Sequence, residues 1–295
     1  MTARRCFARL DSRPERFNTP MIRREFLVTS ALGTAGALVN QMTPAVMNDT
    51  PLEPTMPADV ATSESRATRK ILIAGGGFNT AFIRYMVQLT GKTRPRICYL
   101  PTASADNVDG SVAFFRHCAP LDVQAFVQES FIESLSQNQG WDEVLLSMDG
   151  IVCSGGNTLN QQAIWKAQGI DVVLKHAWDR GIVLGGASAG SLCWFEEGTT
   201  DSRPKALSIV KCLGFLRGSH SPHYDAEPGR RPLYHKLIAS GEMTPGYACD
   251  NDAGIYFEDN AVTRVVSARA GAKVYYVSMV SGTINERVLE PEMIS

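Results

Sequence analysis

From residue 70 onward, short runs rich in β-branched and aliphatic residues alternate with longer amphipathic runs. This alternation is typical of a parallel sheet whose crossover helices cover both of its faces. The pattern predicts strands at 70–74, 96–101, 123–126, 148–153 and 181–185, and helices at about 80–90, 108–119, 159–167 and 169–180. We therefore predict an α/β fold, a three-layer sandwich with a mostly parallel sheet, over residues 70–290.

Four of the predicted strands end in loops of small residues. These loops lie at 75–77, 101–104, 154–158 and 185–190. Because the carboxyl ends of parallel strands lie along one edge of the sheet, ligands bind there in open α/β folds. The sequence therefore places a functional site at this edge.

The charge distribution argues against nucleic-acid binding. The chain of 295 residues has a formal net charge of −1, and residues 1–40 contain seven arginines against three acidic residues. The remaining 22 basic and 27 acidic residues leave the rest of the chain near −5. Nucleic-acid binding needs clustered Lys and Arg, so no such partner is expected.

The amino-terminal region has the pattern of a twin-arginine export signal. Arg23-Arg24 precedes a short apolar stretch, 28–39, which is too short to span a bilayer as a stable anchor. We expect a signal region at 1–40, a flexible Pro- and Thr-rich linker at 41–69, and export by the twin-arginine machinery to the periplasm or the exterior. Met21 is an alternative start, and a signal that does not function would leave the protein in the cytoplasm.

A glycine run after the first strand allows a competing interpretation. Gly75-Gly76-Gly77 could begin a dinucleotide-binding turn, which would make the protein an oxidoreductase. However, Thr80 occupies the position of the third glycine of that motif, and no clear acidic residue ends the next strand. A tight strand-to-helix turn explains the run better, and we predict no cofactor.

A serine between glycines follows the strand at 181–185. Gly186-x-Ser188-x-Gly190 matches the nucleophile elbow, a strained turn that raises a serine above the edge of the sheet. Such a serine needs a base, and His220, His223 and His235 follow it along the chain. Their spacing lacks the i, i+4 pair with a carboxylate that zinc peptidases show, so no metal is expected.

Three segments together resemble peptidase E, the aspartyl dipeptidase family of serine peptidases (family S51). They are Cys-Ser-Gly-Gly-Asn-Thr at 153–158, Gly-Ala-Ser-Ala-Gly at 186–190 and Ser-Pro-His-Tyr at 221–224. The resemblance covers about 70–285 and implies a class I glutamine amidotransferase-like (flavodoxin-like) architecture. It also implies that Ser188 is the nucleophile, that His223 is the base, and that the N–H groups of Gly156 and Ala189 form an oxyanion hole.

The resemblance leaves the third member of the triad open. It places Asn251 where the family has Glu or Asp, between Asp250 and Asp252. A shift of one residue would present either acid to His223 instead, and an amide can also orient a histidine.

The resemblance also assigns substrate-binding residues. Arg230 aligns with the arginine that binds the carboxylate of the substrate, and Arg231 is its neighbour. Asn157 and Asp201 complete the expected set.

The function expected from these residues is that of a serine exopeptidase. It would hydrolyse short peptides, with dipeptides that begin with aspartate as the expected substrates, through an acyl-enzyme. Two alternatives remain: an impaired, hydrolase-like ligand-binding protein, suggested by Asn251, and a cyanophycinase-like peptidase that acts on β-aspartyl-arginine.

Overall fold

A computed structural model describes residues 66–132 and 138–295 of the chain. The expected signal region at 1–40 and all but 66–69 of the expected linker lie outside the described residues. Among the described residues, no helix combines the length and the apolar character that crossing a bilayer requires.

The described residues form fourteen strands and seven α-helices. The strands are β1 (Lys70–Ala74), β2 (Arg96–Leu100), β3 (Gln124–Val127), β4 (Gly150–Cys153), β5 (Val183–Ala187), β6 (Phe195–Thr200), β7 (Ser208–Lys211), β8 (Leu216–Ser221), β9 (Gly246–Cys249), β10 (Ala253–Glu258), β11 (Ala261–Ser267), β12 (Val274–Val280), β13 (Thr283–Leu289) and β14 (Glu292–Met293). The helices are α1 (Thr80–Thr90), α2 (Val108–Cys118), α3 (Trp141–Leu145), α4 (Thr158–Gln168), α5 (Ile170–Asp179), α6 (Ala189–Leu192) and α7 (Arg230–Ala239).

The larger sheet has eight strands in the order β14-β11-β10-β1-β5-β4-β2-β3. The five strands from β1 to β3 in this order pair in parallel, whereas β10 pairs antiparallel with both β1 and β11. The predicted parallel strands are therefore confirmed. The last of them, β5, runs on to Ala187 and so leads directly into the serine turn.

Alternating side chains of β1 explain the layers. Ile71 and Ile73 pack into the core that also contains Trp178 of α5, whereas Leu72 packs into the core that contains Phe82 of α1. Successive residues of a strand point to opposite faces, so a continuous apolar strand needs helices on both sides. The three-layer arrangement follows from this double burial.

A second sheet of six strands follows the parallel part of the chain, in the order β13-β12-β9-β8-β6-β7. Helix α7 packs against it through Tyr234, Leu237 and Ile238, which are buried with Tyr275 and Val277 of β12. The sequence analysis did not predict this sheet. It matters for function because the loops after β8 and β9 contain residues 223 and 250–252.

Candidate active site

Ser188 occupies a sharp turn between β5 and α6. Its backbone has φ 59° and ψ −120°, a conformation that residues with a side chain rarely adopt. A Cβ atom at Gly186 or Gly190 would lie 2.3 or 2.1 Å from the carbonyl oxygen of Cys153. The glycines are therefore required because the turn packs directly against the end of β4.

The loop after β4 faces this serine. A Cβ atom added at Gly155 would lie 3.7 Å from the Ser188 Oγ atom, and Gly156 has φ 133°, which favours glycine. Among the described residues, no hydrogen-bond acceptor contacts the N–H groups of Gly155, Gly156 or Ala189. Gly155 and Gly156 follow β4 and Ala189 follows Ser188, so these two segments contain three backbone donors that are free to bind an oxygen that becomes negatively charged.

His223 meets the same edge of the larger sheet from the second sheet. Three successive carbonyl oxygens at the end of β1, those of residues 74, 75 and 76, accept the N–H groups of Ser188, His223 and Asp252 at 3.3, 3.3 and 2.7 Å. Adjacent Cα atoms are only about 3.8 Å apart, so these bonds bring three distant segments together. Like Ser188, His223 has a positive φ, 54°.

Asn251 orients the imidazole ring. Its Oδ1 atom lies 2.7 Å from Nδ1 of His223. An amide oxygen only accepts hydrogen bonds, so Nδ1 donates its hydrogen and Nε2 keeps a free lone pair. A Cβ atom at Gly76 would lie 2.1 Å from this Oδ1 atom, which explains why the glycine run follows β1.

The two acids beside Asn251 point elsewhere. Asp250 is 4% exposed and accepts the N–H of Lys273 at 2.9 Å, and burial raises the pKa of its carboxyl group. Asp252 accepts from the side chain of Asn79 at 3.4 Å and forms an ion pair with Arg269 at 3.4 Å. Of the three residues left open by the sequence, the structure brings only Asn251 to the histidine.

Two further residues fix the loop that contains Asn251. Asp225 accepts the N–H of Asn251 at 2.8 Å, and Arg269 donates to the carbonyl oxygen of Asn251 at 2.8 Å and to the carboxylate of Asp225. Neither residue is among the site residues expected from the sequence, and Arg269 lies near the far end of the domain and carries no motif.

Arg230 is buried rather than open to a ligand. It is 1% exposed, and it donates to the Glu227 carboxylate at 2.7 Å and to the carbonyl oxygen of Thr199 at 2.7 Å. Its Nη2 atom lies 3.7 Å from the exposed carboxylate of Asp201. The structure thus brings together two of the expected substrate-binding residues, but as partners of each other.

The other two expected substrate-binding residues have structural partners of their own. Asn157 caps α4 by accepting the N–H of Asn160, and it donates to the carbonyl oxygen of Ser202 at 3.1 Å. Arg231 packs over the ring of Tyr224 at 4.7 Å and forms an ion pair with Glu286.

His220 lies behind the nucleophile and stays neutral. It is fully buried, which lowers its pKa to about 3. Its Nδ1 atom faces the carbonyl oxygen of Tyr247 at 3.1 Å and must donate, so Nε2 accepts from the Ser191 hydroxyl at 3.0 Å. The Ser191 hydroxyl also donates to the carbonyl oxygen of Ser188 at 2.7 Å, so its single hydrogen is shared between two acceptors and the Ser191–His220 pair supports the turn from below.

Two alternative kinds of site can be compared with the described residues. In residues 66–132 and 138–295, no group of three or more His, Cys, Asp or Glu side chains could hold a metal ion. A Cβ atom at Gly75 would lie 2.2 Å from the carbonyl oxygen of Cys249. Close backbone contact with the second sheet therefore explains this glycine without a dinucleotide.

Known proteins resemble this chain in sequence and in structure. The model of peptidase family S51 matches residues 71–265. The uncharacterized peptidase YgaJ of Bacillus subtilis (strain 168) is 40% identical over 221 residues, which cover 73% of this chain and 94% of that protein.

Two solved structures share the fold. A peptidase from an acI-B1 actinobacterium has a TM-score of 0.59 at 14% identity, covering 78% of this chain and 97% of its own. A candidate peptidase E from Listeria monocytogenes EGD-e has a TM-score of 0.51 at 18% identity, covering 70% of this chain and all of its own. The predicted class I glutamine amidotransferase-like fold is confirmed.

Proposed function

Because the chain belongs to peptidase family S51, we propose that it hydrolyses short peptides with Ser188 as nucleophile and His223 as general base. The observation that carries this proposal is the set of bonds from Ser188 and His223 to adjacent carbonyl oxygens at the end of β1. These bonds hold a hydroxyl on a strained turn and an imidazole of defined tautomer at one edge of the sheet.

The proposed reaction begins when Oγ of Ser188 attacks the peptide carbonyl carbon and its proton passes to Nε2 of His223. The carbonyl oxygen becomes an oxyanion, which the free N–H groups of Gly156 and Ala189 stabilise. The imidazolium then gives its proton to the leaving amine as the C–N bond breaks. A water molecule, deprotonated by the same ring, hydrolyses the acyl-enzyme and frees Ser188.

Asn251 is a positioning residue in this scheme. Its amide oxygen selects the tautomer in which Nε2 can accept a proton, and its dipole stabilises the imidazolium once it forms. A carboxylate would stabilise that cation more strongly, since it carries a full negative charge whereas the amide offers only a dipole. We therefore expect a working triad with a weaker base than a Ser-His-acid triad provides.

The finer proposal on substrate is a dipeptide that begins with aspartate, as the family resemblance implies. Arg230 is the cation proposed to bind the side-chain carboxylate. To do so, its guanidinium must exchange the carboxylate of Glu227, now 2.7 Å from Nε, for that of the substrate. Replacing Glu227 by Gln should then lower KM for such dipeptides more than it changes kcat.

A dipeptide panel on wild type and Ser188→Ala tests the function. Asp-Leu, Leu-Leu and β-Asp-Arg distinguish an aspartyl dipeptidase from a general one and from a cyanophycinase-like enzyme. We expect Ser188→Ala to lower kcat by a factor on the order of 10⁴ or more and to abolish labelling by a fluorophosphonate probe. Ser147→Ala, an exposed serine at the opposite end of the sheet, is the matched control. Unchanged hydrolysis in Ser188→Ala would show that another group is the nucleophile.

Export remains a proposal from the sequence alone. Arg23 and Arg24 lie outside the described residues, and the twin-arginine pair with its apolar stretch is what supports it. Replacing both arginines with lysine should keep the protein in the cytoplasm, as fractionation of expressing cells would measure. Secretion of that variant at the wild-type level would contradict the proposal.

A further inference from the structure

A pocket of about 240 Å³ opens directly beside Ser188. Ser188 and Gly155 form one side of it, and β2 and α2 form the other. Whatever enters the pocket is therefore adjacent to the atom proposed to attack the peptide bond.

Aromatic rings dominate the far wall of this pocket. Tyr99 of β2 stacks on Phe114 of α2 with ring centroids 5.2 Å apart and planes 12° apart. Phe78 lines the pocket from the loop after β1, where it packs against Phe82 of α1 at 5.4 Å. Such rings bury large apolar areas and favour contact with other apolar groups.

No carboxylate and no Lys or Arg lines the pocket in the described part of the chain. The imidazole ring in the lining belongs to His117, whose Nδ1 atom lies 3.2 Å from the hydroxyl of Thr80. A charged substrate side chain would lose its water here and find no ion of opposite sign, which is unfavourable. An apolar side chain would gain by entering.

The size of the pocket suits a large side chain. An apolar cavity of about 150 Å³ in another protein binds benzene, so a pocket of about 240 Å³ can hold an aromatic ring or a branched aliphatic chain.

We propose that this pocket binds the apolar side chain, aromatic or large aliphatic, of a substrate residue that adjoins the scissile bond. The inference rests on the proposed function, because it takes Ser188 to be the nucleophile. In a dipeptide that begins with aspartate, the pocket accepts the side chain of the second residue. The expected substrates are thus peptides with one large apolar residue at the cleaved bond.

Binding to Ser188→Ala tests the pocket separately from hydrolysis. Calorimetric titration with Ala-Phe, Phe-Ala, Ala-Ala and Ala-Lys requires no turnover. It therefore measures the affinity of the pocket even if the protein cleaves none of these peptides. We expect at least one of the two Phe peptides to bind about tenfold or more tighter than Ala-Ala and Ala-Lys, since a buried Phe ring provides that much. Equal affinities would overturn the proposal.

A filled pocket provides the second measurement. Ala113 lines the pocket from α2, whereas its neighbour Val112 is 49% exposed and lies outside it. In the Ser188→Ala background, Ala113→Phe should remove the tenfold preference, and Val112→Phe should leave it intact. Ala113→Asp, a smaller change, should likewise weaken binding of the Phe peptide but not of Ala-Ala. Equal loss for Ala-Ala and the Phe peptide in both Ala113 variants would show that the pocket does not select the side chain.

Hydrolysis and peptide binding, measured side by side, separate the pocket proposal from the proposed peptidase function. Loss of all hydrolysis in Ser188→Ala, together with no side-chain preference, would leave the peptidase function standing and refute the pocket. A clear preference for the Phe peptides in binding, without any hydrolysis by the wild type, would support the pocket and refute the peptidase function.

Discussion

Removing the side chain of Asn251 should slow catalysis without displacing the loop that holds it. In Asn251→Ala, the backbone bonds to Asp225 and Arg269 remain, so the loss is confined to the 2.7 Å contact with His223. A hydrogen bond to a charged group contributes about 1.5–3 kcal/mol, and this contact is made to an imidazolium in the transition state. At 1.36 kcal/mol per factor of ten, kcat should fall about 10- to 150-fold.

Asn251→Asp should act in the opposite sense. A carboxylate in the same place favours the protonated imidazole, so the acid limb of the profile of kcat/KM against pH should move to higher pH. Above that limb, where the ring is neutral, the rate should equal or exceed that of wild type, because the carboxylate stabilises the imidazolium that forms.

The assay is kcat and KM between pH 5 and 9 on the best dipeptide of the panel. Asp252→Asn is the matched comparison, because its carboxylate faces Asn79 and Arg269 instead of the ring. We expect Asp252→Asn to change kcat less than Asn251→Ala does. Full activity of Asn251→Ala, or a larger loss in Asp252→Asn, would refute the assigned role of Asn251.

Two further predictions concern the support of the site. Burial lowers the pKa of His220 to about 3, below the roughly 6.5 of an unfolded histidine, so the unfolded chain takes up the proton first and stability should fall as the pH drops from about 6 to 4. The free energy of unfolding measured in urea should therefore fall by roughly 1 kcal/mol for each pH unit in the wild type, a fall that His220→Gln should lack. Identical slopes in the two proteins would contradict this role of His220. Gly76→Ala would place a Cβ atom 2.1 Å from Oδ1 of Asn251 and 2.8 Å from Cε1 of His223, so kcat should fall at least as far as in Asn251→Ala. Gly229→Ala is the control and should retain the wild-type kcat. Wild-type kinetics of Gly76→Ala would show that the ring and the amide do not need this space.

The local pattern of the sequence was enough for the parallel half of the fold. The predicted helix at 80–90 and α1 have the same bounds, and the predicted strand at 148–153 contains β4. Each of these elements shows its own periodicity within about ten residues, so no distant contact is needed to recognise it. The resemblance to peptidase E, confirmed by the comparisons, rests on motifs in the loops between them.

The second sheet was not predicted, because its strands depend on distant partners. β6 pairs with β8, and β9 pairs with β12, and no local sequence pattern predicts either pairing. Strand preference depends strongly on context, and short strands rich in Gly, Ser and Thr carry a weak signal. The burial of Arg230 was missed for the same reason, since Thr199, one of its partners, lies on β6.

The sequence by itself determined that a serine stands between glycines at the end of a buried strand, because that chemistry is local. The resemblance to peptidase E, and no local pattern, grouped His223 with residues 250–252 as expected members of the site. Only the tertiary structure decided that Asn251, and neither neighbouring acid, meets the ring. The N–H of Asp252 donates to the carbonyl oxygen of Gly76. Asp225 accepts the N–H of Asn251, and Arg269 donates to its carbonyl oxygen. A difference of one residue in a loop is set by such contacts between distant segments, which a linear pattern does not contain.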